Sequence, residues 1–240
     1  MTDPGALPLA LTMGEPAGIG PDVTLIAWTR RLEAGLPPFH VIGDPDLLRR
    51  RAALLGLDVP LRVGSADETV AAFASALPVV DLGRSVVGEP GRPSRRDAPA
   101  VVGSIEAAVE EVRLGLAAAV VTNPIHKHAL YDAGFSHPGH TEFLGDLAGR
   151  FAVPIDGEAW RPVMMLAGPQ LKTVPITVHV ALARAAQDLS SEAIAATVRI
   201  VDADLRSRFG LAAPRLVLAG LNPHAGEDGA MGREEIEVMR

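Results

Sequence analysis

Two histidines follow apolar, strand-like runs. His179 closes Ile176-Thr177-Val178-His179, and His224 lies within Asn222-Pro223-His224-Ala225-Gly226-Glu227. Neutral imidazole is a common ligand for divalent metals, so the pair reads as half of a metal site; a loop imidazole can also serve purely as a hydrogen-bonding group. Catalytic metal centres usually take three protein ligands and leave one position open, so a third donor has to come from elsewhere. With no cysteine in the chain, every donor must be nitrogen or oxygen. Imidazole suits Zn, Co or Ni, whereas Mg prefers oxygen.

A second group could handle a polar substrate. Gly139-His140-Thr141-Glu142 offers an imidazole, a hydroxyl and a carboxylate where a helix is expected to begin. The first turn of a helix presents free N–H groups to an anion. Capping alone would account for Thr141 and Glu142 but leaves His140 unexplained. In Thr122-Asn123-Pro124-Ile125-His126-Lys127, Lys127 is a candidate cation for a phosphate or carboxylate and Asn123 a candidate hydrogen-bonding partner; a solvated lysine at a helix start is an equal reading. His40, His126, His128 and His137 receive no role, and Trp28, Tyr131 and Trp160 read as packing residues.

These groups need elements to place them. Leu7 to Met13 reads as a strand, Gly14 to Gly20 as a glycine-bearing loop, and Pro21 as the first turn of a helix. That loop either lets a ligand approach the backbone or simply makes a tight strand-to-helix turn. It matches no familiar nucleotide fingerprint, because Val23 stands where G-x-G-x-x-G needs its last glycine and no Lys-Ser/Thr pair follows. Phe39 to Gly43 and Pro78 to Asp81 are further strand candidates, with a helix from Asp46 to Leu55 capped by Gly56. Leu82 to Pro99 reads as an exposed loop, Val101 to Leu114 as a helix, and Ala117 to Val121 as a buried strand. Helices are expected over His128 to Ala133, Thr141 to Arg150 and, capped by Ser190 or Ser191, Ser190 to Phe209. Pro162 to Leu166 and Lys172 to Val178 flank Gly168-Pro169 as a hairpin, which predicts a mixed sheet. Arg215 to Gly220 reads as a buried strand delivering His224 at its carboxyl end, the side on which open α/β sheets bind ligands. Arg233 to Arg240 looks like the start of a helix.

The chain has 240 residues, 48% of them hydrophobic, with a formal net charge of −7 and scattered basic residues. This is ample for a buried core and argues against nucleic acid as a partner. Neither a signal peptide nor an apolar run long enough to span a bilayer is evident, so a cytoplasmic protein with no membrane partner is expected.

Taken in order, Leu9 to Asp22 (LALTMGEPAGIGPD), Thr122 to Lys127 (TNPIHK), Pro138 to Leu144 (PGHTEFL), Thr177 to Leu182 and Leu221 to Glu237 (LNPHAGEDGAMGREEIE) resemble the 4-hydroxythreonine-4-phosphate dehydrogenases of the PdxA family. The resemblance runs through essentially the whole chain. It implies a three-layer α/β/α fold similar to isocitrate and isopropylmalate dehydrogenases, with two subdomains around a cleft within one region spanning 1–240. It further implies NAD and a divalent metal (Zn, Co or Mg) as cofactors, a phosphorylated amino acid as substrate, a homodimer, and a place in vitamin B6 biosynthesis. His140 and Thr141 would contact substrate, with Lys127 a weaker candidate, and His179 and His224 would bind the metal. In such enzymes a third histidine and much of the NAD site lie further toward the C-terminus, and this chain is expected to stop short of them. Related enzymes that oxidise a threonate or erythronate 4-phosphate, or a dihydrodiol carboxylate, share the metal motifs, and a non-catalytic phosphate-binding remnant is the reading from another class.

Overall fold

The parallel strands of the N-terminal half are consecutive β-loop-α units, each closed by recognisable local chemistry. The computed structural model describes residues 7–151 and 161–239, so Trp160 and Arg240 lie outside the described residues. The chain divides into two units, Met1–Ala148 and Gly149–Arg240.

In the first unit, β1 (Leu9–Thr12) leads into α1 (Gly20–Thr29), with Pro21 in its first turn. β2 (Phe39–Gly43) leads into α2 (Pro45–Leu55). Asp44 caps α2 by accepting the Asp46 N–H at 2.8 Å, and Gly56 ends it in the left-handed conformation with φ 64°. β3 (Leu61–Val63), α3 (Thr69–Ala72) and β4 (Leu77–Asp81) follow. Then come α4 (Ala98–Arg113), β5 (Ala119–Val121), α5 (Lys127–Tyr131) and α6 (His140–Gly149). The sequence reading missed β3 and α3, which carry too few apolar residues to show a period.

The five strands form one parallel sheet in the order β3-β4-β2-β1-β5. Alternate residues face opposite layers. Leu11, Phe39, Val41, Leu77 and Val79 join Leu25 and Trp28 of α1, Leu48 and Ala52 of α2, and Phe73. Ala10 and Ile42 pack instead with Ala108 of α4 and with Ala117. Beyond them Ile105 and Val109 of α4 meet Phe143 and Leu147 of α6. The unit is therefore a three-layer α/β/α sandwich. The strand expected over 117–121 is shorter and lies at the sheet edge, where Ala119 and Val121 are exposed because among the described residues only β1 pairs with it.

The second unit departs further from expectation. β6 (Leu166–Ala167) and β7 (Lys172–Thr173) form the predicted hairpin, but as a separate two-stranded antiparallel ladder. Parallel and antiparallel pairing thus coexist in the protein without sharing one sheet. α7 (Leu182–Ala185) precedes α8 (Ser191–Ser207), whose cap is Ser190, accepting the Ala193 N–H at 3.1 Å. The last helix is α9 (Glu234–Glu237). Two predicted strands are corrected. Pairing stops at Thr173, so His179 sits in an exposed bend with φ 57° rather than at a strand end. The run 215–220 is exposed and joins no ladder among the described residues. A strand needs a partner backbone, and an apolar run does not supply one.

Candidate functional site

The sheet order puts β1 between β2 and β5, and the segments leaving β1 and β5 pass to opposite faces: α1 to one layer, α6 to the other. Such a divergence at strand carboxyl ends is where α/β sheets form ligand crevices. Here it brings the loop 14–20 against 122–127. Gly14 has φ +70°, and a Cβ there would stand 2.6 Å from Asn123 Cβ and 2.8 Å from the Pro124 oxygen. Glu15 N–H donates to that same oxygen at 2.9 Å. The glycines thus admit the neighbouring loop, which favours the tight-turn reading of the motif.

Asn123 is buried as a brace. Its backbone N–H donates to Thr12 Oγ1 (3.1 Å), and its Nδ2 donates to the Thr12 oxygen (2.9 Å) and Thr24 Oγ1 (2.8 Å). Both amide protons are committed inside the protein, so a hydrogen bond from this side chain to a substrate would have to be accepted by Oδ1. Arg51, which received no role from the sequence, is buried and holds the loop from outside. It donates to the Pro16 oxygen (2.7 Å), the Gly18 oxygen (3.1 Å) and Asp22 Oδ2 (2.8 Å).

Glu15 is also buried, with Oε1 accepting the Ala17 N–H at 3.0 Å. Burial pushes its carboxyl above the ordinary range, and Asp97 adds to this while the Ala17 N–H and His126 oppose it. Asp97 itself accepts the N–H groups of Val87 and Gly88 at 2.9 and 2.7 Å, fixing the preceding loop. His126 caps α5 by accepting the Ala129 N–H on Nδ1 at 3.2 Å.

The residues expected to contact substrate gather beside these loops. His140 and Thr141 open α6, both half-buried, and Lys127 opens α5, exposed. Gly139 marks where they converge: a Cβ there would lie 3.5 Å from Lys127 Nζ and 3.4 Å from Glu142 Oε2. His140 Nε2 is buried without a hydrogen-bond partner among the described residues. Burial, then the Lys127 charge, hold the His140 pKa below its ordinary value, keeping the ring neutral near pH 7. Tyr131, read as packing, is exposed at 47% and donates to the Pro138 oxygen at 3.2 Å, bracing the approach to His140.

His179 and His224 lie in the second unit. His224 is held by its own loop, with Nδ1 2.8 Å from Glu227 Oε1 and its N–H donating to Asn222 Oδ1 at 2.8 Å. As donors the two imidazoles suit a borderline divalent cation. No group of three His, Asp or Glu side chains arranged for a metal occurs among the described residues.

Comparison with known proteins agrees with this geometry. Residues 36–240 match the family described as pyridoxal phosphate biosynthetic protein PdxA. The chain is 53% identical to a 4-hydroxythreonine-4-phosphate dehydrogenase of Bradyrhizobium diazoefficiens, over all of this chain and 70% of that protein. The crystal structure of a 4-hydroxythreonine-4-phosphate dehydrogenase from Burkholderia phymatum superposes with a TM-score of 0.82 at 30% identity, covering 98% of this chain and 69% of that one. A terephthalate 1,2-cis-dihydrodiol dehydrogenase from Burkholderia xenovorans superposes less well, at 0.59 and 27% identity, covering 98% of this chain and 68% of that one. The chain spans 65% to 70% of the length of the curated relatives it matches. An α/β/α unit with these loops at its switch point, together with identity above half across the whole length, establishes that the chain belongs to the PdxA family.

Proposed function

We propose that this chain carries the substrate-binding part of a 4-hydroxythreonine-4-phosphate dehydrogenase of vitamin B6 biosynthesis. The observation that carries the reading is the buried, unpartnered Nε2 of His140 beside Lys127 at the start of α6. A neutral imidazole there can hydrogen-bond a substrate hydroxyl or phosphate oxygen. Thr141 and the backbone N–H groups at the start of the helix add donors, and Lys127 supplies positive charge. Together they hold the polar substrate in a fixed orientation while its carbinol is oxidised.

In the reaction read here, the C–H hydrogen leaves as hydride to NAD and the hydroxyl proton leaves to solvent. The resulting 3-oxo acid loses CO₂ to give 3-amino-2-oxopropyl phosphate. A divalent cation, when bound, would lower the pKa of the substrate hydroxyl; His179 and His224 would supply two of its nitrogen donors. Action as a homodimer in the cytoplasm belongs to the same proposal. Oxidation of a dihydrodiol carboxylate is the second reading; the higher TM-score to the 4-hydroxythreonine-4-phosphate dehydrogenase supports the first.

Titration calorimetry of the chain with 4-hydroxythreonine 4-phosphate tests the binding reading. His140→Ala is expected to weaken affinity by about 10-fold or more, as loss of a hydrogen bond of about 1.5 kcal/mol or more would. Equal affinity of wild type, His140→Ala and Lys127→Ala overturns it. A parallel assay of NADH formation, with the dihydrodiol carboxylate as competitor substrate, separates the two readings.

A further inference from the structure

His224 lies at the mouth of a loop whose backbone is unusual. Ala225, Gly226, Glu227, Asp228 and Gly229 all have positive φ, at 49°, 74°, 43°, 53° and 93°. Three of them are not glycine, and left-handed backbone disfavours each. Such a run persists only where surrounding contacts over-determine it.

Glu235 of α9 contributes at the loop's entrance. Its Oε1 accepts the N–H groups of Leu221 and Asn222 at 3.0 and 3.3 Å, at the loop's entrance. Its Oε2 is buried against Gly226, where a Cβ would approach within 3.0 Å of it and 2.9 Å of the Gly232 oxygen. Oε2 has no hydrogen-bond partner there among the described residues, so the carboxylate's hydrogen bonds hold the loop's entrance, while the middle of the loop is closed by the Gly229 and Met231 N–H groups donating to the Gly226 oxygen at 2.9 and 3.0 Å. Within this frame the Glu227 N–H donates to the His224 oxygen at 3.1 Å, and the Glu227 side chain turns back to the His224 ring. Ring and carboxylate are both more than half exposed. Charge attraction at such a surface contributes little, so the backbone, rather than the pair itself, sets the contact.

We propose that Glu227 and Glu235 are positioning residues for His224: Glu227 fixes the ring as the Nδ1–H tautomer, and Glu235 locks the loop that lets it do so. A carboxylate only accepts, so Nδ1 must donate, and the lone pair of the neutral ring is then left on Nε2. An outer carboxylate on the far nitrogen is how metal-ligating histidines are held and made more basic. The inference rests on reading His224 as a metal donor, but its direct consequence, the tautomer, exists without metal.

The test is long-range ¹⁵N–¹H NMR of the His224 imidazole in the metal-free 240-residue chain at about pH 8.5, where imidazole is neutral. The expected result is a predominant Nδ1–H ring in wild type, reversal toward Nε2–H in Glu227→Ala, and recovery in Glu227→Gln, which keeps an acceptor oxygen. Glu235→Ala is expected to speed amide exchange at Leu221 and Asn222 and to weaken the Nδ1–H bias. A wild-type ring protonated on Nε2, or a tautomer indifferent to Glu227→Ala, overturns the proposal. Paramagnetic broadening of His224 by added Co²⁺ is expected to require about 10- to 100-fold more cation in Glu227→Ala. An Nδ1–H ring with no Co²⁺ response in wild type upholds the positioning and defeats only the metal reading.

Discussion

Phe39–Gly43 and the run 215–220 are both short apolar segments ending in glycine, yet they have opposite fates. The first lies between β1 and β4 with all five residues buried. In the second Val217 is 91% exposed, and no described segment pairs with it. Apolar character is local, whereas a ladder depends on a second backbone at 4.7–4.9 Å and a layer to cover the face. The same contrast separates the two candidate groups. The His140 group stands on a braced crevice, and His224 stands on a loop that supplies its own bracing.

The sharpest way to break this comparison is at the brace. Gly14→Ala is expected to destabilise the chain by about 3 kcal/mol or more, since it adds a close contact to a left-handed residue. Gly35, also at positive φ but with nothing within 4 Å of an added Cβ, should lose only about 1 kcal/mol on the same change. Urea midpoints for the two variants check this, and equal losses would show that the two loops are not packed against each other.

A pair of valine substitutions sharpens the comparison. Val79→Ala, in the buried β4, should cost about 2 kcal/mol, whereas Val217→Ala should change stability by less than about 0.5 kcal/mol. Hydrogen exchange should follow the same division, with amides of β2 protected and those of 215–220 open. A protected Val217 would mean that the segment finds a partner strand in solution.

Acid titration probes the crevice more gently. His140 has a folded pKa below its unfolded 6.5, so the unfolded chain binds the proton first as pH drops. Its stabilising contribution is complete above pH 6.5 and is lost as pH falls through the folded value. His140→Ala should flatten that slope in a series of urea midpoints. Glu15 has the opposite sign, because its folded pKa lies above the unfolded 4.5. Its contribution is complete below pH 4.5 and is lost as pH rises through the folded value. Glu15→Gln keeps an oxygen for the Ala17 N–H and should therefore gain stability relative to wild type as pH rises from about 4.5, the smallest of these effects.

Most of the first unit was legible because each element announces itself locally. Pro21 and Gly56 punctuate helices, and the apolar runs between them had partners to meet; the stretch read as an exposed loop to Pro99 instead buries Val86 and Asp97 and gives up Ala98 and Pro99 to the first turn of α4. The buried polar residues were not legible. His40 received no role, but its Nε2 donates to Glu111 Oε2 at 2.5 Å and its Nδ1 shares a hydrogen with the Thr69 hydroxyl at 2.9 Å, linking β2 to α4 and α3. Arg51 and Asp97 likewise gave no signal of burial, because what neutralises them lies 29 or more residues away for Arg51 and in a preceding loop for Asp97. Of the candidate site, the sequence pointed to His140, Thr141 and Lys127 through their place at helix starts. It gave no sign that Asn123 is committed to bracing or that Glu235 secures the loop of His224.

The amino-acid sequence by itself determined the family, most helices of the first unit to within a few residues and its alternation outside β3 and α3, because capping residues, glycines and hydrophobic period act within a few residues of one another. Tertiary structure alone decided which apolar runs became strands, which polar side chains were buried, and which imidazole nitrogens were left to meet a ligand. Those outcomes depend on partners distant in sequence, and a hydrogen bond or a ladder exists only when both halves arrive.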